Sequence, residues 1–79
     1  MSDSRIPRDW TMLESPENEQ HNRCVDIFRR PDGTFGFEEF RRDVEDRGRW
    51  TPVSYFLGNV YATREAAREA AVQAVAWLR

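Results

Sequence analysis

Arg30-Pro31-Asp32-Gly33-Thr34 lies between two strand-like stretches and constrains the fold more than any other segment of this chain. Proline presets φ, aspartate accepts backbone hydrogen bonds, and glycine takes the left-handed position that closes a three-residue hairpin loop. Residues 23–30 and 34–41 are therefore expected to pair as antiparallel strands. With a type I turn and a glycine bulge, Arg30 faces Thr34, and Arg29, Ile27 and Val25 pair with Phe35, Phe37 and Glu39. Val25, Ile27, Phe35 and Phe37 then share one face, with Cys24, Phe28 and Phe40 on the other. A two-residue Asp32-Gly33 turn would pair Phe28 with Phe37 and scatter the apolar groups, so the bulged register is preferred.

Downstream, the charged segment Asp43 to Arg49 contains Gly48 and suits a second turn. From Trp50 the residues are again aromatic and β-branched, and alternation places Val53, Tyr55 and Leu57 on one face of a third strand. Pro52 lacks an N–H for the ladder, which puts this strand at an edge or Pro52 near its start. Thr63 is a suitable N-cap for an alanine-rich helix. Its apolar side carries Ala66, Ala67, Ala70, Ala71, Ala74, Val75, Trp77 and Leu78; Arg64, Glu65, Arg68, Glu69 and Gln73 lie opposite, with Val72 and Ala76 among them as a small exposed apolar pair of little weight. The expected fold is α+β: a three-stranded antiparallel sheet with one C-terminal helix packed on one face. Residues 23–79 form this β-β-β-α domain, and residues 1–22 form a loosely structured N-terminal arm. Within the arm, Ser15 to Asn22 has no large apolar side chain, whereas Trp10-Thr11-Met12-Leu13 is an apolar island.

A single domain of 79 residues buries roughly 60–65% of its unfolded surface. Ten aromatic residues, three Trp, two Tyr and five Phe, compensate for the short aliphatic supply. Homodimerisation would relieve the same shortage. A net charge of −2 creates no long-range attraction to nucleic acid or anionic lipid, although all twelve cationic residues are arginine. Cys24 is the sole cysteine, so no intramolecular disulfide forms, and no apolar run reaches membrane-spanning length. A cytoplasmic protein with no membrane association is expected.

The chemistry-bearing residues are sparse. His21 and Cys24 have a ligand-like spacing, but the chain supplies no second histidine or cysteine for zinc. The same pair lacks the third group that would orient a nucleophile. Glu38-Glu39 and Glu45-Asp46 are adjacent carboxylates, yet consecutive strand residues point to opposite faces, and interleaved arginines suggest a charge-balanced, solvated surface. The four glycines are dispersed rather than gathered in a phosphate-binding loop. No catalytic residue, cofactor site or metal site is expected.

The strand-strand-strand-helix order, with a helix opening Thr63-Arg64-Glu65-Ala66-Ala67-Arg68, resembles the C-terminal part of double-stranded RNA-binding domains. That resemblance implies phosphate contacts by Arg64 and Arg68. Ala62-Thr63-Arg64-Glu65 after a hairpin and an aromatic strand is also similar to uncharacterised small bacterial proteins of this architecture. The preferred expectation is a non-enzymatic binding or accessory protein acting through protein contacts, with a protein partner or a second copy of itself. Its candidate contact residues are Trp10, Leu13, Phe28 and Phe40. The alternative is duplex RNA binding through Arg64, Arg68, Arg29 and Arg30, with Arg41 and Arg42 on the same hairpin; the acidic balance makes nucleic acid the less favoured partner.

Overall fold

The computed structural model describes residues 6–43, 48–53 and 56–78. Four antiparallel strands lie in the order β1 (Thr11–Glu14), β2 (Arg23–Arg29), β3 (Phe35–Arg42) and β4 (Trp50–Pro52), followed by helix α1 (Arg64–Ala74). The fold is α+β as expected, but the sheet has four strands rather than three. The additional strand comes from the arm, where Thr11 pairs with Arg29 and Met12 with Phe28 before a bulge at Leu13 brings Glu14 opposite Ile27.

The hairpin has the bulged register. Arg29, Ile27 and Val25 stand opposite Phe35, Phe37 and Glu39. The Gly33 N–H donates to the Arg30 carbonyl at 2.9 Å, the Arg30 N–H to the Thr34 carbonyl at 2.7 Å, and Gly33 has φ +88°. The side chain and backbone N–H of Thr34 donate to Asp32 Oδ1, holding that carboxyl below its ordinary value.

The last strand is shorter than its alternation suggests. β4 ends at Pro52, and Phe56–Gly58 forms a 3-10 turn where the strand was expected to continue. Val53 still donates its N–H to the Glu39 carbonyl at 2.9 Å. Farther along β3, Phe35 and Tyr61 exchange two backbone hydrogen bonds of 2.9 Å. The β3 edge is therefore met at Glu39 by Val53 and at Phe35 by Tyr61. Tyr55 and positions 44–47 of the expected second turn lie outside the described residues.

Thr63 caps α1 by accepting the Ala66 N–H at 3.0 Å. The helix stops at Ala74 and a separate 3-10 turn, Ala76–Leu78, follows. No glycine or proline marks this stop. Instead, the turn carries Trp77 to Glu39, where its indole Nε1 donates to Oε2 at 3.0 Å. Val25, Ile27 and Phe37 of the sheet pack with Ala67, Ala71 and Val75, flanked by Phe35, Phe56 and Tyr61. Alanines on the helix let its backbone approach the sheet, and half-buried Phe35, Phe56, Tyr61 and Trp77 surround the buried cluster.

Candidate functional site

The second face of the sheet is a core in its own right. Cys24, Asp26, Phe28 and Glu38 are fully buried, and Phe40 is nearly so. The Trp10 ring lies 4.9 Å from Phe28, centroid to centroid, so part of the apolar island covers this face within one chain. Leu13 is half-buried at the β1 bulge. Among the four expected protein-contact residues, Phe28 and Phe40 consequently offer no side-chain surface to a partner.

Arg30 closes the same end of the sheet. Its guanidinium carbon lies 4.9 Å from the Trp10 ring centroid and 5.2 Å from that of Phe28. It also donates to the carbonyls of Phe35, at 3.0 Å, and Asn59, at 3.1 Å. These contacts integrate Arg30 into the fold, whereas neighbouring Arg29 is exposed. On the hairpin's other strand, Arg41 lies 3.5 Å from Asp43, and Arg42 stacks over Trp50.

Arg64 and Arg68 converge on Glu14. Arg64 Nη2 approaches Glu14 Oε2 at 3.0 Å, and Arg68 Nε approaches Oε1 at 3.2 Å. Burial raises the Glu14 carboxyl pKa, but the hydrogen bonds and charges of the two arginines outweigh that effect and leave it below its ordinary value. This clasp joins β1 to the first turns of α1. A phosphate approaching either guanidinium would compete with a carboxylate already bonded to both.

The expectation of a solvated carboxylate surface fails at the hairpin. Glu38 is fully buried and Glu39 is 7% exposed. Glu38 Oε1 accepts the Glu39 N–H at 3.1 Å and the Phe56 N–H at 2.8 Å. Asp26 stands directly opposite Glu38 and accepts from Ser15 Oγ at 2.7 Å. On the helix-side face, Glu39 receives Arg23 at 3.2 Å and the Trp77 indole. These carboxylates serve as internal hydrogen-bond acceptors, except that Glu38 Oε2 is buried with no hydrogen-bond partner among the described residues. Glu45 and Asp46 lie outside the described residues. Among the described residues, no group of three or more His, Cys, Asp or Glu side chains is arranged to hold a metal ion.

Concave surfaces lie elsewhere: one is an open depression along α1 lined by Glu65, Arg68, Glu69, Val72 and Gln73, and others lie on the β1 side of the helix. The helix packs over β2 and β3, leaving the β1 flank beside it less covered. A cleft of about 200 Å³ there is lined by Glu14, Pro16, Ile27, Arg68, Val72 and Leu78. It shares Pro16 and Leu78 with a broader depression of about 460 Å³ bounded by Glu17, Glu19, Gln20 and Trp77. Together they form a groove with an apolar floor and charged walls. Val72, which interrupts the polar side of the helical projection, is half-buried in this groove. The helical projection reads Val72 as one of a small exposed apolar pair of little weight, and the structure instead half-buries it against this cleft. The groove's loop wall is hydrogen-bonded: Asn18 Oδ1 accepts the backbone N–H groups of Asn22 and Arg23, and His21 has φ +58°.

No family model matches this chain, and no match is found among curated proteins or solved structures.

Proposed function

We propose that this chain is a small non-enzymatic protein-interaction module whose contact site is the groove between β1 and α1. The observation that supports this reading is the lining that the two clefts share, Pro16 and Leu78, with half-buried Val72 next to them and Glu14 and Arg68 alongside. An apolar floor gives an incoming side chain a desolvated contact, and a charged rim sets its orientation. The site is shallow enough to admit a segment of another protein. Binding there leaves the Glu14–Arg64–Arg68 clasp intact, whereas phosphate binding by those arginines would compete with Glu14.

The test uses photo-crosslinking side chains introduced singly at Gln20 and Val72, with Arg41 as an exposed control, in the full chain within its native cells. Protease-sensitive, nuclease-resistant adducts from both groove positions and none from the control are expected. An adduct to a second copy identifies self-association as the protein contact. Equal labelling at Arg41, or no adduct from the groove, refutes the assignment. Nuclease-sensitive adducts would instead favour the duplex RNA reading.

A further inference from the structure

We infer that the broader end of this groove receives one arginine or lysine side chain of the partner protein, an assignment that rests on the protein-contact reading above. The depression has two chemically distinct walls. Pro16, Trp77 and Leu78 supply apolar surface, while Glu17 and Glu19 supply carboxylates. No lysine, arginine or histidine is among its described lining residues. A long cationic side chain matches both walls because its methylenes cover apolar surface while its charged end remains near solvent. Arginine adds a planar guanidinium able to stack on an aromatic ring and pair with a carboxylate. A glutamate side chain would meet like charge, and a glutamine would gain no ion pair.

The walls are already positioned. Trp77 Nε1 is bonded to Glu39, while Glu17 Oε1 lies 2.9 Å from His21 Nδ1. Pro16 is tied to the sheet through its carbonyl, which accepts the Val25 N–H at 3.0 Å. Two neighbouring basic side chains require consideration: His21 already contacts one Glu17 oxygen, Oε1, and the Arg23 guanidinium is paired with Glu39 at 3.2 Å. Glu19 is exposed at the rim. Thus the charge complement is local: the groove end favours a cation even though its narrower part contains the Glu14–Arg68 pair.

The probes are an acetylated, amidated Leu-Arg-Ala tripeptide and its Leu-Gln-Ala and Leu-Glu-Ala counterparts, titrated into isotopically labelled full chain. The arginine peptide should produce saturable NMR shifts at the Trp77 indole and the amides of residues 17–20, with weaker binding by the other two. A Glu17→Gln, Glu19→Gln double variant should lose about fivefold in affinity, the size expected from removing two exposed ion-pair partners. Equal binding of the arginine and glutamine peptides to the unchanged protein, or shifts confined elsewhere, overturns the inference without requiring the variant to fold. Unchanged affinity in a folded double variant also overturns it. If groove crosslinks persist while the arginine peptide leaves these signals unmoved, the basic anchor fails but the protein-contact reading survives; loss of specific groove crosslinks defeats that broader reading.

Discussion

Gly36→Ala tests the packed face more sharply than a substitution at the hairpin tip. An added Cβ would lie 2.8 Å from Arg30 Nη2, 2.9 Å from Phe28 Cε1 and 3.1 Å from Phe28 Cζ. Arg30 is a long side chain, but its guanidinium is bonded to two backbone carbonyls; Phe28 is fully buried against Trp10. Overpacking of this kind costs about 1–3 kcal/mol. Reduced freedom of the unfolded chain offsets about 0.4–1 kcal/mol of that penalty when glycine becomes alanine. The expected net destabilisation is about 1–2 kcal/mol, which for a domain of this size corresponds to a Tm decrease of roughly 5–15 °C. Denaturant unfolding and calorimetry of both proteins provide the comparison. In a Phe28→Leu background, Gly36→Ala should lose at least half of its destabilising effect because the stiff aromatic neighbour has been removed. A neutral or stabilising Gly36→Ala substitution, or full additivity with Phe28→Leu, would refute the packing argument.

Gly33→Ala should destabilise the chain by about 1 kcal/mol through backbone conformation alone, since a Cβ there meets nothing within 4 Å. Gly33→Asn should recover part of the loss because asparagine tolerates positive φ better than alanine; equal denaturation midpoints for Gly33→Ala and the parent would contradict this. Glu14→Gln should weaken the β1–α1 clasp at neutral pH and flatten the acid side of the stability profile. The folded Glu14 carboxyl pKa is depressed, so its contribution is present above the ordinary glutamate value of about 4.3 and is lost as pH falls through the lower folded value. Equilibrium unfolding from pH 7 to pH 2 checks this, and identical parent and variant profiles would remove the clasp from the stability argument. Deleting residues 1–14 should increase binding of a hydrophobic dye and promote association by removing Trp10 from Phe28 and exposing the β2 edge; an equally stable, monodisperse truncation would contradict that expectation.

The hairpin was legible because two independent constraints agree. Pro31-Asp32-Gly33 selects the loop, while the parity of Val25, Ile27, Phe35 and Phe37 selects the face, and the observed pairing satisfies both. The same register already put Asp26 opposite Glu38, but charge was read as exposure. That rule fails here because hydrogen-bond acceptance can retain a carboxylate in the interior: Ser15 reaches Asp26, and two backbone N–H groups reach Glu38. β1 was harder to identify because Thr11-Met12-Leu13-Glu14 has no clean strand alternation, and its pairing contains a bulge. β4 was overextended because its aromatic pattern outweighed the break that follows Pro52.

These departures share a physical origin in the sheet's need to bury both faces. One face carries Val25, Ile27 and Phe37 beneath α1, while Phe28 and Phe40 lie on the other. A single helix cannot cover both. The arm resolves this by adding β1 beside β2 and placing Trp10 against Phe28. Once that segment is used for the fold, Phe28 and Phe40 are withdrawn from the candidate contact surface, while the offset of α1 toward β2 and β3 leaves the groove beside β1. The aromatic pattern therefore identifies where the protein buries surface, whereas the position of the helix determines which concave surface stays open to solvent.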